Sequence, residues 1–101
     1  MKHYTLKFLP SAVKDIDDLG LFISVECSSP LTALRWFEDL EKYWDWLERY
    51  AELPAVHTEL SIQYEKVIRC LYFKKKMAIV YSVENDIVII HRILSQSMII
   101  F

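Results

Sequence analysis

Few residues in this sequence stand at the spacings that catalytic or metal sites require. His3, His57 and His91 fall in three separate regions, so their spacing defines no nucleophile–base pair. The sequence has no glycine-rich phosphate loop and no His-Glu-x-x-His motif, and its single glycine excludes a Gly-x-Ser-x-Gly elbow. Cys27 and Cys70 are too few and too distant to indicate a disulfide framework or a zinc site. We therefore expect no cofactor, no metal and two buried, reduced thiols.

Arginine, lysine and tyrosine side chains remain as groups that could contact a phosphate or a carboxylate. Arg69 lies in an apolar stretch, where its guanidinium could hold an anion in a bidentate fork or pair with an acid of the helices. The sequence leaves both interpretations open. For Arg92, beside His91, an ion pair within the fold is favoured. We expect Lys74–Lys76 to form a solvated turn, and Tyr81 to be a core tyrosine with a bonded hydroxyl.

The elements that must position these residues follow from the hydrophobic periodicity. Alternation predicts a first strand over His3–Leu9, and helical spacing predicts a helix from Ala12 with Ser11 as its N-cap. Gly20 inside this helix weakens the prediction that it is continuous. A second helix is predicted from Pro30 to about Glu52, with an N-cap at Ser29.

Three strands complete the predicted pattern. After a loop over residues 54–61, period-two or continuous apolar stretches predict strands over residues 66–73, 77–83 and 87–94. The resulting order is β-α-α-β-β-β. The fold class is therefore α+β, with an antiparallel sheet packed against an antiparallel helical hairpin.

Length and composition limit the class of protein. The 101 residues predict a single domain over residues 1–101, and 53% hydrophobic residues with one glycine exclude disordered and collagen-like chains. The apolar runs are too short to span a bilayer and Lys7 interrupts any signal peptide, so we expect a cytoplasmic protein without membrane contact. Residues 11–60 carry eleven acids against four bases, whereas residues 61–101 carry three against six. This basic excess is too small to indicate a nucleic-acid partner.

The joint order of several short motifs resembles the RelE/ParE superfamily of type II toxin–antitoxin toxins. The motifs are Pro10-Ser-Ala-x-x-Asp15-Ile16, Ser29-Pro-x-x-Ala33, Leu53-Pro54, Arg69, Ala78-Ile-Val-Tyr81-Ser-Val83 and Ile87-Val-Ile-Ile-His-Arg-Ile-Leu94. The resemblance covers roughly Tyr4 to Leu94. It is nearer to the ParE branch, which typically has an arginine early in the second strand and a Tyr-x-Val in the third. The last strand of this branch often reads Ile-x-Arg-Val/Ile-Leu, matched here by Ile90-His-Arg-Ile-Leu94.

The resemblance to ParE implies a toxin that inhibits DNA gyrase by binding and is neutralised by a cognate antitoxin in a hetero-oligomer. The residues expected to contact the target are Arg69, Arg92, Lys74, Lys75 and Lys76. One helix cannot easily bury two aromatic stripes, and the apolar C-terminal tail must also be shielded from water. We therefore expect an antitoxin segment that folds on binding to cover these apolar surfaces. The residues expected to contact it are Trp36, Tyr43, Trp46, Met98, Ile99, Ile100 and Phe101.

Two alternatives remain within the same superfamily. A RelE-like endoribonuclease would cut mRNA in the ribosome, with Arg69, Lys66, Tyr81 and Arg92 in the site. Three features count against this alternative. Ser95-Gln96-Ser97 stands where relatives commonly have a histidine and one or two arginines, and no glycine precedes Arg69. The isoelectric point of about 5.9 is also low for a protein that must approach the phosphates of ribosomal RNA. The other alternative is a member that has lost its toxicity and persists as a bound partner.

Overall fold

A computed structural model describes residues 3–26, 30–74 and 76–95. The elements in chain order are β1 (Thr5–Phe8), α1 (Pro10–Glu26), α2 (Pro30–Tyr50), α3 (Thr58–Tyr64), β2 (Arg69–Phe73), β3 (Met77–Glu84) and β4 (Ile87–Ser95). The strands form one sheet in the order β1-β4-β3-β2. The pair α1–α2 packs on one face of this sheet and α3 on the other. The predicted α+β class with a helical hairpin is confirmed.

The sheet is mostly, but not entirely, antiparallel. The β2-β3 and β3-β4 pairs are antiparallel, whereas β1 pairs with β4 in parallel, from Thr5 opposite Ile87 to Phe8 opposite Ile90. The predicted antiparallel sheet is thus confirmed for β2, β3 and β4, and only the β1-β4 pair departs from it. The helical hairpin returns the chain to the end of the sheet where β1 begins, since the Tyr4 N–H donates to the Glu48 carbonyl at 2.8 Å. Strand β2 then starts at the same end of the sheet as β1, on the opposite edge, and a meander of three strands makes β4 run in the same direction as β2.

The hairpin helices differ from the prediction mainly at their ends. Helix α1 begins at Pro10 rather than Ala12, because proline is preset for the first helical turn. The predicted N-cap, Ser11, lies inside this turn and donates its hydroxyl to the His91 carbonyl at 2.7 Å. Helix α1 continues through Gly20, where an added Cβ would overlap the ring of Phe37 on α2, and this close approach accounts for the glycine. The predicted cap at Ser29 lies outside the described residues.

A third helix replaces part of the predicted loop over residues 54–61. His57 is the N-cap of α3, where its Nδ1 accepts from the Leu60 N–H at 3.3 Å, and Glu65 ends the helix in the left-handed region at φ 57°. The helix has seven residues, fewer than two full apolar repeats, so periodicity gave no signal for it. Strand β2 consequently begins at Arg69 instead of residue 66.

Two apolar clusters lie on the two faces of the sheet. The larger one, under the hairpin, includes Leu40, Leu47 and Ile90, which are fully buried. The smaller one, under α3, contains Cys70, and burial raises the pKa of its thiol to about 11. Cys70 is thus a buried free thiol, as predicted, while Cys27 lies outside the described residues. None of the helices in the described ranges combines the length and apolar content of a membrane span.

Candidate functional site

Arg92 forms a two-point ion pair with Asp15, which lies on α1. Arg92 Nε donates to Asp15 Oδ2 at 2.6 Å, and Nη2 donates to Oδ1 at 3.0 Å. The hydrogen bond and the charge of the carboxylate raise the pKa of Arg92 above its ordinary value. The predicted ion pair within the fold is confirmed. The guanidinium is 38% exposed, but its principal face is already paired.

The same aspartate protects the edge of β4. Strand β1 pairs only with the first half of β4, as far as Ile90, so the second half would otherwise expose its backbone polar groups. Asp15 Oδ2 accepts from the Ile93 N–H at 2.9 Å, and the Ser11 hydroxyl donates to the His91 carbonyl. Ser11 and Asp15 are four residues apart and share one face of α1. The Pro10-Ser-Ala-x-x-Asp15 motif is thus an edge-covering device, a role the sequence analysis missed although this spacing signals it.

Arg69 and Tyr81 lie opposite each other on β2 and β3 and both bind the segment that follows α2. Arg69 Nη1 donates to the carbonyls of Glu52, at 3.1 Å, and Pro54. The Tyr81 hydroxyl donates to the Ala51 carbonyl at 2.6 Å. These bonds satisfy carbonyls beyond the helix end that would otherwise lack partners. Arg69 therefore pairs with main-chain carbonyls rather than with a helical acid.

Tyr81 is the most deeply buried of the proposed site residues. Its exposed fraction is 0%, and burial raises the pKa of its hydroxyl far above the ordinary range. The prediction of a core tyrosine with a bonded hydroxyl is confirmed. The catalytic role that a RelE-like site would give Tyr81 is inconsistent with this burial, because no substrate reaches the hydroxyl in this arrangement.

Lys66 and Lys74, both proposed for the site, each pair with a different acid. Lys66 Nζ is 3.6 Å from Glu84 Oε1, and Lys74 Nζ is 2.6 Å from Asp39 Oδ2 on α2. Lys76 is exposed, and Lys75 lies outside the described residues. The turn is solvated on one side, as predicted, but Lys74 also ties it to the hairpin.

A buried polar pair on the α3 face was not predicted. The Ser82 Oγ and His91 Nε2 atoms are 2.8 Å apart, and both residues are more than 90% buried. Burial, followed by the nearby Lys66, lowers the pKa of His91. Tyr64 of α3 packs its ring edge-on against the imidazole at 5.5 Å. The pair lies among packed side chains on the α3 side of the sheet, which indicates a structural hydrogen bond in the core.

The aromatic stripe of α2 is partly buried by the sheet. Tyr43 and Trp36 pack against Phe73 with ring centroids 5.1 and 6.3 Å apart, and Trp46 packs against Tyr50 at 5.4 Å. All three stripe residues stay half-buried. Tyr43 and Trp46 line an open depression between α2 and β2. The tail residues Met98, Ile99, Ile100 and Phe101, also proposed to contact an antitoxin, lie outside the described residues.

The whole chain was compared with families of known proteins. The model of the family described as "ParE toxin of type II toxin-antitoxin system, parDE" matches residues 6–100, which is nearly the full length. The chain belongs to the ParE toxin family. The resemblance seen in the motifs is thereby confirmed, and so is the preference for the ParE branch.

A solved structure supports the fold of this ParE family member. The chromosomal ParDE system from P. aeruginosa contains a chain that matches with a TM-score of 0.71 and 21% identity, covering 92% of this chain and 96% of that one. At this identity the match bears on the fold alone. Among curated proteins, the comparison found no match.

Proposed function

We propose that this ParE family member inhibits DNA gyrase by binding to it, without cutting RNA, and that a cognate antitoxin neutralises it. The family match supports the toxin–antitoxin setting. One observation favours binding over RNA cleavage. Of the four residues that a RelE-like site would use, Tyr81 is buried on a carbonyl and Arg92 is paired with Asp15. A ribonuclease needs such groups free to stabilise charge on the scissile phosphate.

Arg69 is the proposed contact for the gyrase target. Its Nη1 binds the two carbonyls after α2, and the side chain also lines a shallow depression of about 290 Å³ with Glu52, Val67, Val83 and Asn85. A guanidinium anchored at one nitrogen keeps a fixed orientation toward an acidic partner. Lys76 and the rest of the lysine turn are secondary candidates because Lys74 is already paired with Asp39.

Expression without antitoxin, with growth and a DNA-damage reporter followed together, tests the function. We expect growth arrest with the reporter switched on, because trapped gyrase leaves broken DNA. Arrest with a silent reporter would contradict gyrase as the target and favour translation. Normal growth at high expression would instead indicate a member that has lost its toxicity.

Purified protein in a gyrase supercoiling assay tests the role of Arg69. We expect Arg69→Ala to weaken inhibition about tenfold or more, the loss expected when a charged hydrogen bond is removed. Arg35→Ala removes an exposed arginine of α2 and is the matched control, expected to inhibit like the wild type. Because Arg69 also binds the segment after α2, melting curves must show that the variant is folded. Equal inhibition by folded Arg69→Ala would contradict this contact.

A further inference from the structure

Helix α3 is the only helix of the described ranges on its face of the sheet. Its seven residues contribute two side chains, Leu60 and Tyr64, to the apolar cluster beneath it. Two polar contacts complete the attachment, since Ser61 Oγ accepts from the Ile68 N–H at 2.8 Å and His57 caps the helix at 3.3 Å. A short segment held by so few contacts opens locally at a lower free energy than the whole molecule unfolds.

An irregularity in β4 places His91 beneath this helix. Val80 of β3 pairs with Arg92. The next residue of β3, Tyr81, pairs with Ile90, so His91 has no opposite residue and is the extra residue of a β-bulge. A bulge can re-aim a side chain, and here the imidazole lies against α3 with 7% of the residue exposed.

The surroundings of His91 disfavour a positive charge while α3 is in place. Tyr64 covers the imidazole edge-on with ring centroids 5.5 Å apart, and Nε2 lies 2.8 Å from Ser82 Oγ. The charged groups that act on it are Lys66, just after α3, and Glu84 of β3. Burial and then Lys66 lower the pKa of His91, and Glu84 opposes them only in part because it pairs with Lys66 at 3.6 Å.

Opening of α3 removes this penalty. Without Tyr64 above it, the imidazole meets water, and its pKa returns toward the ordinary value of about 6.5. A proton that binds the open form more tightly than the closed form shifts the population toward the open form. The α1 side supplies no counter-charge to the closed form, because the Asp15 carboxylate is already paired with Arg92.

We propose that α3 is an acid-sensitive cover, which protonation of His91 releases from the sheet while the four strands and the α1–α2 hairpin stay folded. The release exposes the apolar cluster beneath α3, which includes Cys70 and Val80. This inference goes beyond the proposed function, because the release requires neither gyrase nor an antitoxin.

Cys70 reports this opening, because it belongs to the cluster under α3 and is 5% exposed. Cys27→Ser leaves Cys70 as the only thiol of the chain. The labelling rate is measured with 4,4′-dithiodipyridine, which reacts with thiols in acid as well as at neutral pH, and is divided at each pH by the rate for the urea-unfolded chain. We expect this ratio to rise about 5–10-fold from pH 7.5 to pH 5.5. A ratio that is independent of pH would overturn the proposal.

Urea distinguishes release of α3 from unfolding of the whole chain. Local opening exposes little surface, so the labelling rate at pH 5.5 and at urea concentrations below the unfolding transition should rise less than about twofold per molar. Labelling through global unfolding would rise about fivefold or more per molar in a domain of this size. A dependence that steep would show that α3 does not open separately, and the proposal would be wrong.

Two variants separate His91 from the histidine that caps α3. His91→Gln can still bond Ser82 but takes up no proton, and we expect its labelling ratio to be independent of pH. His57→Asn keeps an acceptor for the Leu60 N–H and removes the imidazole that lies 3.6 Å from Glu59, and we expect it to keep the full acid response. Melting curves at pH 7.5 establish that both fold. An acid response that persists in His91→Gln, or that disappears in His57→Asn, would overturn the proposal. The pH and urea measurements need neither variant.

Discussion

Asp15 is the residue whose removal tests the structural argument most directly. Its carboxylate is 13% exposed and accepts three hydrogen bonds, two from the Arg92 guanidinium and one from the Ile93 N–H. Arg92 is more than one-third exposed, so water can solvate its guanidinium when the carboxylate is lost. The Ile93 N–H lies at the part of the β4 edge that β1 leaves uncovered. The two halves of this interaction should therefore have unequal energies.

The expected magnitudes follow from these exposures. A backbone N–H bonded to a charged acceptor contributes about 1.5–3 kcal/mol, and a half-exposed ion pair contributes about 0.5–1 kcal/mol after solvent screening. We expect Asp15→Ala to lower the free energy of unfolding by about 2–3 kcal/mol and Arg92→Ala by about 1 kcal/mol. In a domain of this size the larger loss lowers the melting temperature by roughly 10–20 °C.

A double-mutant cycle in denaturant separates the two contributions. With Arg92 already changed to alanine, Asp15→Ala should still cost about 2 kcal/mol, because the Ile93 bond is intact in the single variant. Asp18→Ala is the matched control, since Asp18 lies on the same helix but pairs with Lys14 in solvent, and its melting should match the wild type. If Asp15→Ala costs nothing in the Arg92→Ala background, the aspartate does not protect the strand edge and our reasoning is refuted.

Two further predictions concern the buried polar groups. Tyr81→Phe removes the hydrogen bond to the Ala51 carbonyl and should lower the free energy of unfolding by about 1–2 kcal/mol. We expect the variant still to arrest growth. Loss of growth arrest in the folded variant would contradict a purely structural role for Tyr81. The depressed pKa of His91 predicts that stability, measured by thermal melting, falls as the pH drops below about 6.5, because only the unfolded chain then takes up the proton. Above that pH, His91 is neutral in both the folded and the unfolded chain. His91→Gln, which can still bond Ser82, should make the melting temperature depend less on pH in this acidic range. An unchanged pH dependence would contradict the assignment of the effect to His91.

The sequence predicted the elements because their signals are local. Alternation at Tyr4, Leu6 and Phe8 located β1, and the Ser-Ser-Pro30 break separated the two hairpin helices correctly. The direction of β1 relative to β4 was missed because it depends on how many times the intervening chain crosses the sheet. Helix α3 was missed because seven residues are too short for a periodic signal, and its N-cap, His57, is not a usual one.

The candidate site was predicted as residue types but not as contacts. Arg69, Tyr81 and Arg92 were singled out correctly as polar groups in apolar strands, where each must have a partner. Their partners lie far away in sequence, as the 77-residue separation of Arg92 from Asp15 shows. Three of the partners are main-chain carbonyls of the segment after α2, and side-chain types carry no information about these. Sequence patterns can thus indicate that a partly buried cation is paired, but only the fold identifies the pair.

The two edges of the sheet are protected by different means. On the β1 side, Ser11 and Asp15 cover the backbone that the short strand leaves exposed. On the β2 side, one bridge at Val56 is followed by an open edge with a lysine turn at its end. Lysines at an edge discourage pairing between identical copies. Hydrogen bonds to the exposed backbone therefore protect the β4 side of the sheet, whereas repulsion between like charges opposes pairing of identical copies on the β2 side.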